Sequence, residues 1–209
     1  MAHRSEPRFL VLHGLRVKGF AGTADATALA GLDGEAAEQL LRGLADQGLV
    51  RWKEGPLPPW SLTPDGRAEH QRSVSEELEA AGAKAVVDGA YQRFLVLNRE
   101  VLEVCTAWQL RTDGGTQVPN DHSDAKHDRA VLERLGAVDG AAQQLIDELT
   151  GSLERFSAYG PRLRTALQRV QAGDGDWITK PTVDSYHTVW MELHEDLMAT
   201  LGIQRGEGT

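Results

Sequence analysis

The sequence predicts a mainly α protein in two parts. Residues 1–75 are expected to form a domain of three helices and a β-hairpin, and residues 76–209 an all-α helical domain. Three observations predict it. Residues 9–72 string together three amphipathic helical stretches, two short β-type runs around a Pro-rich turn, and a Thr-Pro helix start. After Thr63 the apolar residues fall at helical spacing, interrupted by two polar, Gly-containing stretches. Charge is divided unevenly: residues 1–75 balance acid against base, so residues 76–209 carry the whole net charge of −9.

Each element follows from local chemistry. Residues 1–7 read as a loose polar start. Phe9 to Phe20 has apolar residues at 9, 10, 12, 15 and 20, a helix stopped by Gly19. Thr23 is a candidate cap for a short helix over Ala24–Ala30, closed by Gly31. Asp33 is a candidate cap for a third, with Ala36, Leu40, Leu41 and Leu44 on its buried face and Gly48 as a left-handed stop. Leu49–Lys53 and Trp60–Leu62 read as strands. Gly55, Pro56, Pro58 and Pro59 lie between them and suit a hairpin tip, because proline cannot donate to a ladder. Thr63-Pro64 places a cap before a proline at the first helical position.

The remainder predicts helices over Pro64 to about Ala81, Ala85–Leu110, Ser123–Leu135, Gly140–Tyr159 and Arg162–Gln171, and a last helix that begins just after Pro181 and reaches Leu201. Thr112–Asn120 and Gly173–Lys180 read as loops.

Composition bounds the function. Hydrophobic residues make up 41% of the 209 and charged residues 25%, an ordinary globular balance. The acidic second part repels nucleic acid, so only the first third can approach it without a large penalty. A single cysteine, Cys105, excludes an intrachain disulfide and fits a reducing, cytoplasmic setting. No apolar run reaches the length of a membrane span. No membrane partner is therefore expected, and the start MAHRSEPR, with no apolar core after its charges, is not expected to be a secretion signal.

The order of helices and hairpin, and above all GLADQGLVRW and SLTPDGRAEH, resembles the winged helix-turn-helix domain of bacterial transcriptional regulators of the MarR and PadR kind. The resemblance covers residues 9–72, about a third of the chain. It implies that the third helix enters the DNA major groove and that the hairpin, the wing, rests on phosphate. Carried over residue by residue, base contacts fall to Gly34, Glu35, Glu38 and Gln39. Phosphate contacts fall to Arg42, Arg51 and Lys53, with Arg4, Arg8, Arg16 and Lys18 widening the positive face. The acids Asp33, Glu35 and Glu38 oppose that role, since they add nothing to counterion release.

The second part holds two aromatic and polar clusters. One joins Trp108, Arg111, Asn120 and His122. The other joins Trp177, Lys180, His187 and Trp190. Large aromatic faces beside a few polar groups are what a small-molecule pocket requires, so these eight are candidate effector-binding residues. Metal, cofactor and catalytic residues are expected to be absent. Asp184 with His187, and Asp121 with His122 and His127, are closely spaced, but no metal motif, phosphate loop or nucleophile elbow occurs, and Cys105 falls on an apolar face with Tyr91, Phe94 and Trp108. The expectation is a DNA-binding regulator that dimerises and senses a small molecule through its helical part. The alternative is a winged-helix adaptor that regulates a partner enzyme by protein contacts. A metal sensor or enzyme built on the His and Asp clusters stands third.

Overall fold

The computed structural model describes residues 1–203, and the architecture is mainly helical with two small antiparallel sheets. Its contacts divide into two compact units. The first comprises residues 1–87, 150–155 and 195–203. The second comprises residues 88–149 and 156–194.

In the first unit, α1 (Pro7–Lys18), α2 (Thr23–Thr27) and α3 (Gly34–Asp46) precede the hairpin β1 (Val50–Trp52) and β2 (Trp60–Leu62), and α4 (Pro64–Ala81) follows. Their core gathers Val11, Leu12, Leu15, Ala26, Leu41, Leu44, Val50, Trp60 and Leu62. The buried face of α3 is Ala37, Leu41 and Leu44. Ala36, expected inside, is exposed, because a stripe fixed by Leu41 and Leu44 passes through position 37 at helical spacing. Gly48 adopts φ 73°, with its N–H on Ala45 O and that of Leu49 on Leu44 O, which closes α3 and releases the chain into β1. The hairpin pairs Val50 with Leu62, Arg51 with Ser61 and Trp52 with Trp60. Trp60 also bridges Ala21, tying the hairpin to the segment between α1 and α2. The Thr63 hydroxyl accepts from Gly66 N–H at 3.0 Å, as a cap before Pro64 should.

Two expected caps act differently. Gly22, not Thr23, precedes α2, and the Thr23 hydroxyl instead accepts from Trp60 Nε1 at 3.2 Å. Asp33 occupies the cap position of α3 in extended conformation without a side-chain bond to the helix.

The helices α5 (Lys84–Gln109), α6 (Ala125–Ser152), α7 (Tyr159–Gln171), α8 (Asp176–Thr179) and α9 (Tyr186–Leu201) complete the chain. Their central buried residues in the second unit include Phe94, Leu135, Ile146, Phe156, Tyr186 and Trp190. Three expectations are corrected here. The domain is not all-α: Thr112–Asn120 is not a loop but most of a hairpin, β3 (Leu110–Asp113) with β4 (Thr116–Pro119). Gly114 and Gly115, at φ 55° and 87°, form the two-residue turn that closes it, a conformation side chains disfavour. The helices expected over 123–135 and 140–159 are largely one, α6. It runs through Gly136 and Gly140 because a core stripe from Val131 to Leu149 continues across them. Residues 154–158 form a separate 3-10 turn, and the segment 173–180 contains the single turn α8.

Candidate functional site

The face expected to read DNA is exposed and largely occupied with itself. Glu38, Gln39 and Arg42 lie on the solvent side of α3. Arg42 Nη2 donates to Glu38 at 2.8 Å, and Gln39 Nε2 donates to Glu35 at 2.8 Å. Such exposed pairs one turn apart contribute only a few tenths of a kcal/mol, roughly 0.3–0.5, so a ligand can reorganise them. On β1, Arg51 Nε donates to Ser61 at 3.1 Å, while Trp52 is 57% exposed with its ring edge-on to Trp60. Lys53 follows, also exposed. Among the outlying cations, Arg8 pairs with Glu69 at 2.7 Å and Arg16 with Glu195 at 2.5 Å.

In the second unit, the structure brings the first aromatic cluster together. The His122 ring lies 4.4 Å from that of Trp108. Asn120 Nδ2 donates to Trp108 O at 3.1 Å and to Asp128 at 2.9 Å, and His122 Nδ1 is 3.0 Å from the other Asp128 oxygen. His122 holds φ 59°, unusual for a side-chain-bearing residue. Arg111 stands 3.6 Å from Asp121. The 173–180 segment meets the same tryptophan: a Cβ on Gly175 would lie 2.8 Å from Trp108 Cζ2. The two segments therefore converge on Trp108.

The rest of the second cluster disperses. Arg169 covers the Trp177 ring at 5.4 Å, and Lys180 pairs with Asp176 at 2.5 Å. Trp190 is a core residue, fully buried, its ring 4.5 Å from Phe94 and its Nε1 donating to Asn98 at 2.9 Å. His187 is half-buried, and burial lowers its pKa. Asp184 and Glu192 both accept from Arg162, whose pKa rises because these acids outweigh its burial. Cys105 is buried and its thiol pushed up to about 11 by desolvation, an inert packing group. Among the described residues no group of three or more His, Cys, Asp or Glu side chains is arranged to hold a metal ion.

The most concentrated polar chemistry was not anticipated from sequence. Arg155, from the 3-10 turn, is buried in the first unit. Its Nε donates to Glu77 at 3.0 Å, its Nη1 to Asp196 at 2.5 Å and to His13 Nε2 at 3.0 Å, and its Nη2 to Thr200 at 2.7 Å. Ser5 donates to the other Glu77 oxygen. His13 Nδ1 and His70 Nε2 share a proton across 2.9 Å. Burial first, then His13, Arg16 and Arg155, push His70 down to about 2, so its ring is neutral. The one sequence signal was His13 itself, set inside the apolar run FLVLHGL.

No protein-family model, curated protein or solved structure matches this chain.

Proposed function

We propose that the chain is a winged helix-turn-helix transcriptional regulator that binds DNA as a homodimer and responds to a small molecule through its helical part. The observation that carries this reading is the solvent face of α3, with Glu38, Gln39 and Arg42, packed beside a hairpin that exposes Arg51 and Lys53. Gln39 is the residue suited to an adenine edge, and Arg42, Arg51 and Lys53 supply phosphate contacts. The contact of Trp108 with His122, and of the Gly175 segment with Trp108, supports the effector half. An effector acts by binding one spacing of the paired reading helices better than another. The test is binding of the full chain to duplex DNA from upstream of its own gene, followed by anisotropy across a salt series. Replacing Arg51 and Lys53 together by Ala should reduce the slope of log K against log salt by about 2. Absence of any sequence-specific complex at low salt overturns the reading.

A second reading has its own support. The acids of α3 together with exposed Trp52 and Leu57, each 57% accessible, suit a protein-binding platform better than a phosphate-lined groove. Co-purification of a stoichiometric partner without DNA, abolished by Trp52→Ala, would favour this adaptor role.

A further inference from the structure

The helix α5 leaves one face open along most of its length. Its buried residues, among them Val87, Phe94, Val101 and Val104, lie on one side. On the other side Asp88, Gln92, Leu95, Arg99, Leu102 and Thr106 recur at alternating steps of four and three residues, the spacing of a coiled-coil seam. Ala85 extends the pattern by one more step. Leu95 is half-buried, and the other residues of the seam are exposed. Leu102 is 44% accessible, and Val96, which flanks the seam, is 49% accessible.

Charge specifies what can cover this face. Asp88 and Arg99 stand on the seam, and neither has a hydrogen-bond or ion-pair partner among the described residues. The neighbouring charges are engaged or turned away. Arg93 pairs with Glu148 at 2.6 Å and Glu103 with Arg134 at 2.9 Å, while Glu100 lies about 100° around the helix from Arg99. An apolar stripe interrupted by one acid and one base needs a partner that carries a base and an acid in reverse order. A second copy of α5, run antiparallel across a twofold axis, presents them so. With Asp88 facing Arg99 of the second copy, Gln92 faces Leu95 and Ala85 faces Leu102, and each combination occurs twice. Sliding the pair by one heptad sets Asp88 against Gln92 or Thr106 and loses both ion pairs. A parallel pair sets Asp88 against Asp88 and Arg99 against Arg99, which repel.

We propose that α5 is a homodimer interface, packed antiparallel on α5 of a second copy, with Asp88 of each copy paired to Arg99 of the other. Leu95, Val96 and Leu102 supply the apolar contact, and the ion pairs fix orientation and register. The inference rests on the homodimer of the functional reading and not on its DNA contacts, which belong to α3 and the β1–β2 hairpin.

Sedimentation equilibrium of the full chain without DNA, over about 1 to 100 μM protein and at fixed ionic strength, tests the interface. The native chain should form a dimer. Asp88→Arg alone and Arg99→Asp alone each set two like-charge pairs in the contact and should weaken association by about tenfold or more. Both positions are exposed, so circular dichroism should show the folded chain in each variant. The double exchange, Asp88→Arg with Arg99→Asp, rebuilds the pairs in reverse and should recover most of the native affinity. A dimer indifferent to the single exchanges overturns the α5 interface and leaves a homodimeric regulator standing. A double variant as weak as either single one overturns the pairing. A native chain that is monomeric throughout, or that sediments with a foreign protein released by Asp88→Arg, overturns the second copy as the occupant, whatever the DNA titration shows.

Discussion

Gly66 is the residue that fixes how the hairpin meets α4. A Cβ there would lie 1.8 Å from the Leu49 carbonyl oxygen, which also accepts from Thr63 N–H at 3.0 Å. Neither backbone can yield without breaking the α3 stop or the Thr63 cap. Gly66→Ala should therefore destabilise by about 3 kcal/mol, the upper range for overpacking, read as a fall in the denaturation midpoint. Gly43, with open space around its Cβ position, should instead gain stability as alanine, by about 0.5–1 kcal/mol. Equal responses at the two sites would contradict this account of the Leu49 contact. The same scale explains what sequence could reveal about the site. The exposure of Glu38, Gln39, Arg42, Arg51 and Lys53 was legible because surface position follows from local periodicity. Glu77, Arg155 and Asp196 give no such signal, since their burial depends on partners far away in sequence.

Elements with strong punctuation were legible in the same way. The Gly48 stop, the Thr63-Pro64 cap and the Pro-rich tip define α3, β1, β2 and α4 within a residue or two. Where punctuation was weak or ambiguous, the reading failed. Gly114-Gly115 looked like a loop and is a hairpin turn, because strands of four residues carry too little alternation to show. Residues 136–139 read as a break between two helices and are interior positions of α6, where tertiary burial overrides propensity. Gly140 is exposed, and nothing lies within 4 Å of its Cβ position. Gly140→Ala should raise stability by about 0.5–1 kcal/mol and leave the circular dichroism signal of the folded chain unchanged. A loss of stability would mean that α6 bends at this glycine and needs it.

At the scale of the whole molecule, acid sensitivity follows from the buried histidine pair. The unfolded chain protonates His70 below its ordinary value of 6.5, whereas the folded chain resists until about 2. The unfolded state thus binds more protons across that window, and stability falls as pH falls, by up to about 1.4 kcal/mol per pH unit. His187, lowered by burial, acts in the same direction. Glu69, held down to about 2 mainly by Arg72 and then Arg8, adds its own loss only below its ordinary value of 4.5. Denaturant midpoints between pH 6.5 and 5 should therefore decline in the native chain and decline less in His70→Gln. Identical slopes would place the acid response elsewhere.

The buried cluster around Arg155 also constrains how this sequence can diverge. Its members come from the N-terminal segment, α1, α4, the 3-10 turn and α9, yet each completes the hydrogen bonding of another. Removing one charge strands its partner in a dry interior, whereas exchanging the whole set for apolar residues need not destabilise at all. Single steps away from the cluster are thus barred while the joint step is permitted. Ser5, His13, Glu77, Arg155, Asp196 and Thr200 form an epistatic block, to be inherited or lost together, and any grafting of the N-terminal helices onto another scaffold must carry their distant partners with them.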